Sequence, residues 1–168
     1  MNFINIKGPV EGTTVYRDGD LAARDVAVTL PSINFLTAEH NAMGTMDLPM
    51  LGQIEAMEAA VTKKGYDVNL AKLAVPQACD LEVRFVQSVI DADNTSKPEG
   101  CKAFMRAVPK TLPGSDLEVG SVGEIQITYA VSRYQLFVGG KEICLIDRLK
   151  GILRINGTDY AKETNSLL

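Results

Sequence analysis

The sequence predicts a mainly β protein with a short helix. Two observations carry the prediction. The stretch Glu124–Val138, "EIQITYAVSRYQLFV", runs without Pro, Gly, Asp or Asn and stops at Gly139–Gly140. Residues 80–91 alternate Leu81, Val83 and Phe85 against Glu82 and Arg84, the period of a half-buried strand. The helical share is small: "VNLAKLAV", 68–75, is the better helix, with Asp67 placed to cap it and Pro76 to end it.

The other elements follow in order. "TTVYR", 13–17, and "DVAVTL", 25–30, read as short strands with Asp18–Gly19 as punctuation between them. Residues 31–51, "PSINFLTAEHNAMGTMDLPML", carry two prolines, a glycine and mixed polarity. They read as a long loop. Connections are usually about 4–6 residues, so a loop of this length is functional or is ordered from outside the domain. Its apolar side chains, among them Phe35, Met43, Met46 and Met50, need a surface to lie on. "QIEAMEAAVTKKG", 53–65, is helical by residue preference, although Met57, Ala59 and Val61 also alternate with Glu58, Ala60 and Thr62. Residues 91–100 read as a polar loop, 101–110 as a strand and 112–123 as a turn-rich link. "KEICLID" from 141 is the strand after Gly139–Gly140, and 153–160 is a strand–turn–strand about Asn156–Gly157.

The long strand poses a physical problem. At ~3.3 Å per residue it reaches roughly 50 Å, whereas a chain of this size folds to about 40 Å across. It must cross the domain, bend or protrude. Ile125, Ile127, Tyr129 and Val131 make a core face; Glu124, Gln126, Thr128, Ala130 and Ser132 make a small polar one. Past Ser132 the apolar set becomes Tyr134, Leu136 and Val138. That slip predicts a bulge or a passage between sheets. Glu82, Arg84 and Ser88 in one neighbour strand, and Lys102 and Arg106 in the next, offer a further polar face. Two architectures fit the pattern. One is a monomeric β-sandwich with a solvated face. The other is a sheet whose open edges are closed by copies of itself into a ring with a watery bore.

Composition narrows the function. The 168 residues suit one domain. With 17 Lys and Arg against 21 Asp and Glu, the net charge of −4 argues against nucleic-acid binding as the main task. Cys79, Cys101 and Cys144 are scattered, form no C-x-x-C, and read as ordinary thiols of a protein made in a reducing cytoplasm. "MNFINIKGPVEG" lacks the pattern of a secretory signal, and no run approaches the length of a membrane span. His40 is the single histidine, with no nucleophile marked beside it. Met43, Met46, Met50 and Met57 fit adaptable packing better than a soft-metal site. Glu55, Glu58, Asp91, Asp93 and Glu163 form no paired-carboxylate pattern, and "GGK" at 139–141 is a hairpin turn rather than a phosphate loop. Lys63–Lys64 reads as a solvated charge pair. No enzyme, cofactor or metal is predicted.

Three stretches together resemble the major tail tube protein of contractile-tailed bacteriophages and of R-type bacteriocin (tailocin) particles. They are "VTLPSINFLTAEHNAMG", "LGQIEAMEAAVTKKG" and "YAVSRYQLFVGGKEICLIDRLKGILRINGTDYAKETNSLL", in the family's order. The resemblance spans nearly the whole chain, so 1–168 reads as a single tail-tube domain. It implies a β-sandwich or half-barrel with one short helix, six-membered rings, and a continuous β-barrel lumen within a contractile sheath. It turns 53–65 into a strand. It makes 31–51 an extended inter-ring loop and 161–168 a contact tail, with the N-terminal segment joining them. The candidates for lumen-facing residues are Glu82, Arg84, Glu124, Gln126 and Thr128. Those for inter-subunit or inter-ring contact are Phe35, His40, Met43, Met46, Met50, Leu167 and Leu168. The implied partners are further copies, a sheath protein, and baseplate and terminator proteins, with DNA or nothing passing the lumen and no stable membrane insertion. The implied location is a virion tail or tailocin particle assembled in the host cytoplasm. The alternative is a monomeric β-sandwich binding module that docks a partner through the Met-rich loop.

Overall fold

The structure, a computed structural model, describes residues 4–168. The first three residues of the N-terminal segment therefore lie outside the described residues. Twelve strands and two short helices follow one another. The first strand, β1 (Ile6–Arg17), is longer than the five residues expected. Asp18 and Gly19 both take positive φ and turn the chain, but into β2 (Asp20–Arg24), which the sequence did not signal. Then come β3 (Ala27–Thr29), β4 (Phe35–Asn41), β5 (Thr45–Ile54) and β6 (Met57–Lys64). Helix α1 (Asn69–Ala74) is followed by β7 (Cys79–Ile90), β8 (Ser96–Pro109), β9 (Glu124–Val138) and β10 (Lys141–Asp147). The chain closes with β11 (Ile152–Ile155), β12 (Thr158–Asp159) and α2 (Lys162–Ser166).

The long strand is continuous and changes partner along one edge of the ten-stranded sheet. Along one edge, Glu124–Val131 pairs with Lys64–Met57 of β6, while Arg133–Val138 pairs with β10. On the other edge, Tyr129–Val138 pairs with β8. The break falls at Ser132, skipped in the β8 ladder between Arg106↔Arg133 and Ala107↔Val131. Its carbonyl instead accepts the Arg148 N–H at 3.0 Å. The phase slip read from the sequence is this bulge.

A second kink answers it across the molecule. Strand β2 pairs with β1 and β3 pairs with β6, with Asp25 at φ 52° between them. The Asp25 N–H still donates to Thr13 O at 2.7 Å. The ladder β6–β9–β8–β7–β1–β2 thus wraps into a partly open barrel, its β2 and β3 edges joined by the chain at Asp25 and not by a ladder. Its interior is filled by Val15, Val61, Leu81, Val83, Ala103, Met105, Ile125, Ile127 and Tyr129. Strands β10–β11–β12 extend one flank.

Helix α1 stops one end of the barrel with Leu70 and Leu73. Asp67 caps it as expected, accepting the Leu70 N–H at 3.0 Å. Arg17, 9% exposed, donates to Lys72 O in the last turn and to Val75 O and Gln77 O beyond it. The Tyr129 hydroxyl donates to Leu73 O at 2.7 Å.

Several expectations are corrected. Within 53–65, Met57–Lys64 is strand, as the family resemblance implied and against the helix that residue preference gave: Met57, Ala59 and Val61 alternate into the core, and burial outweighs helix preference. The 31–51 loop is largely β4–β5, a separate two-stranded ribbon. Pro49 is tolerated because a ribbon leaves one edge of each strand free. The polar loop shrinks to residues 91–95, since β8 starts at Ser96. Pro98 sits there before β9 begins to pair at Cys101. Ser88 is buried, not watery, because β1 crosses it at Gly8, where a Cβ would come within 2.0 Å of Ser88 Oγ. Lys63 is not solvated: it is 6% exposed and bonds both Asp67 carboxylate oxygens. The tail forms a second helix, held by Asn165 Nδ2 donating to Gly151 O at 2.7 Å.

Candidate functional site

With the core inside the barrel, function lies on its outer faces and projections. The most conspicuous projection is the β4–β5 arm. Only its root is tied down. Phe35 and Ile54 are opposite each other against the core, and the Glu55 N–H donates to Asn34 O at 2.8 Å. Leu36 and Gly52–Ile54 border a cleft of about 230 Å³ shared with the β10–β11 turn and α2. From Thr37 to Gln53 every residue is exposed.

The arm is two-faced. Ala38 lies opposite Leu48 and His40 opposite Met46, giving one apolar face. On the other face Glu39 lies directly opposite Asp47, a like-charge pairing that costs energy in isolation. No Lys or Arg occurs between Arg24 and Lys63, so the arm brings no cation of its own. Met43, at φ 54°, tips it. Of the expected contact residues, His40, Met43, Met46 and Met50 thus sit together on the exposed arm. Phe35 anchors it, and Leu167 and Leu168 stand exposed at the far C-terminus.

The five lumen candidates are all off the core, in two separate patches. Glu124, Gln126 and Thr128 form ladder pairs with Lys64, Thr62 and Ala60 of β6. Thr128 Oγ1 is 3.2 Å from Thr111 Oγ1, and Glu58 pairs with Lys110 at 3.4 Å. This patch is small, polar and mixed in charge. Sequence reasoning named none of the β6 residues of this patch, because residue preference alone favoured helix there. The alternation of Met57, Ala59 and Val61 was the signal that could have found it.

Glu82 and Arg84 belong to another neighbourhood. One row runs Tyr16–Glu82–Phe104–Gln135, and the next Thr14–Arg84–Lys102–Phe137. Arg84 pairs with Glu82 at 2.5 Å and lies 4.4 Å over the Tyr16 ring. Phe104 and Phe137 meet edge to face at 5.9 Å. With Val86 and Gly100 they border a cleft of about 500 Å³. This patch is aromatic and basic.

Among the described residues no group of three or more His, Cys, Asp or Glu could hold a metal. The three cysteines are buried and unbonded. Burial pushes each thiol up, which disfavours the nucleophilic thiolate. No described helix is long and apolar enough to cross a membrane.

These features define a class: a mainly β, barrel-like subunit that presents a projecting arm and open polar and aromatic faces. The chain belongs to the family described as phage tail tube protein FII, whose profile matches residues 9–168. It is a structural component of a tail tube. No curated protein matches it by sequence. Its fold is similar to a chain in the sheath–tube complex of the PVC extracellular contractile injection system in the extended state. That match has TM-score 0.54 and 15% identity, covering 78% of this chain and 91% of that one. It is similar also to a chain in the anti-feeding prophage tube-terminating cap, with TM-score 0.56 and 17% identity over 82% and 95% of the two chains. A chain in the PVC sheath/tube terminator in the extended state matches with TM-score 0.52 and 13% identity, over 77% and 95%. At such identities these likenesses establish a common fold.

Proposed function

We propose that this chain builds the inner tube of a contractile tail, as hexameric rings stacked into a channel for DNA delivery or membrane puncture. The observation that carries the reading is the exposed two-faced arm: a ribbon with an unshielded apolar face is built to be covered by a neighbour. The polar β6–β9 face, with Glu124, Gln126 and Thr128, lines the bore. Small hydrogen-bonding side chains there keep water bound and give passing material little to adhere to. The arm, the N-terminal segment and the exposed Leu167–Leu168 end make contacts between rings. Sheath, terminator and baseplate proteins are its partners, which agrees with the complexes that hold the similar folds. Its task is assembly, with no catalytic step. Negative-stain microscopy of the concentrated protein tests this. Six-fold rings or tubes are expected; strict monomers, even beside terminator and baseplate proteins, overturn it.

A further inference from the structure

Two like-charge pairs of opposite sign stand on this surface. On the arm, Glu39 faces Asp47. On the barrel, Arg84 faces Lys102 beside the aromatic cleft. Each arrangement is unfavourable alone. Glu82 compensates Arg84, but Lys102 is exposed and makes no ion pair among the described residues. A second basic pairing, Arg106 opposite Arg133, is matched within the chain: Asp80 lies 3.1 Å from Arg106, and Arg133 donates to Gln135.

We propose that the aromatic cleft receives the arm of a second copy of this chain. The chemistry matches on the acidic face of the ribbon. Lys102 supplies the cation that Glu39 and Asp47 lack, with Arg84, already paired to Glu82, beside it. Phe104 and Phe137 offer an apolar seat to Pro49, which shares that face opposite Thr37. The placement matches as well. The arm is rooted beside Ile146–Arg148, at the Asp147 end of β10. The cleft borders Phe137 and Gly140, at the other end of the β9–β10 hairpin. Donor and receptor on opposite ends of one copy give a head-to-tail contact, which can repeat from one ring to the next along the tube. An arm of six or seven paired residues reaches about 20 Å, enough to leave its own barrel and cross into the next copy.

The inference rests on the tube reading and can fail without it. Three variants of the full chain are compared with wild type by pelleting and microscopy: E39K/D47K, K102E, and the two combined. Circular dichroism and melting check each fold, and Lys102→Met replaces K102E if that variant misfolds. The first two are expected to lower pelletable tube at least about tenfold, with single rings retained. The combination is expected to recover most of it. Normal tubes from the Lys102 variant, or no recovery in the combination, overturn the arm–cleft contact and leave the tube reading standing. Wild type that forms neither rings nor tubes overturns both.

Discussion

Two hairpins of this chain differ in where their partners are. The β9–β10 hairpin has Ile125, Ile127, Tyr129, Tyr134, Cys144 and Ile146 in its own core. The β4–β5 arm gives the core only Phe35 and Ile54, at its root. Substitutions in the first must act on folding. Substitutions in the second must act on association, leaving folding almost untouched.

The largest effect is expected at Ile127, which is fully buried. Ile127→Ala should lower unfolding free energy by about 2–5 kcal/mol, read by urea denaturation of the monomer. Next is Arg17→Ala, which strips three carbonyl partners from the end of α1 and should cost about 2–3 kcal/mol. Tyr129→Phe removes a single buried hydrogen bond to Leu73 O and should cost about 1 kcal/mol. A stability loss as large as that of Ile127→Ala would show that the hydroxyl positions the whole helix.

A smaller term depends on pH. The Arg154 guanidinium hydrogen-bonded to Glu142 holds its carboxyl below the ordinary glutamate range. A depressed acid stabilises the fold fully above its unfolded value of about 4.3, and that stability is lost as pH falls through the lower folded value. The pair is partly solvated, so the term is small. Glu142→Gln should therefore lower Tm at neutral pH and flatten its decline in acid. Smallest of all, Met46→Ser with Leu48→Ser should change monomer stability by under about 0.5 kcal/mol while abolishing pelletable tube. A large drop in Tm would break the contrast, by showing that the arm folds back on its own barrel.

The same contrast explains what could be read from the sequence. β9 announced itself because its partners are local to the chain: alternation, the slip at Ser132 and the Gly139–Gly140 turn all have causes inside the fold. The helix cap at Asp67 is local too. The arm hid because exposure on both faces erases the alternation that marks a strand. Pro49 and Gly44 then made the segment look irregular. β6 hid for another reason, since Ala, Glu and Met carry helix preference into a position that the β3 and β9 ladders override. Lys63 was misread because its partner Asp67 lies past a turn. The split of the lumen candidates into two patches was invisible, because it depends on which strands stand beside Arg84 and Gln126.

The bulge at Ser132 has a mechanical consequence. β9 carries the β6 and β10 ladders on one unbroken backbone, so thrust on one ladder reaches the other through covalent bonds rather than through side-chain packing. Force along the strand loads its flanking ladders in shear, where many hydrogen bonds must yield together, instead of peeling them singly. A subunit wired this way resists being pulled apart along its length.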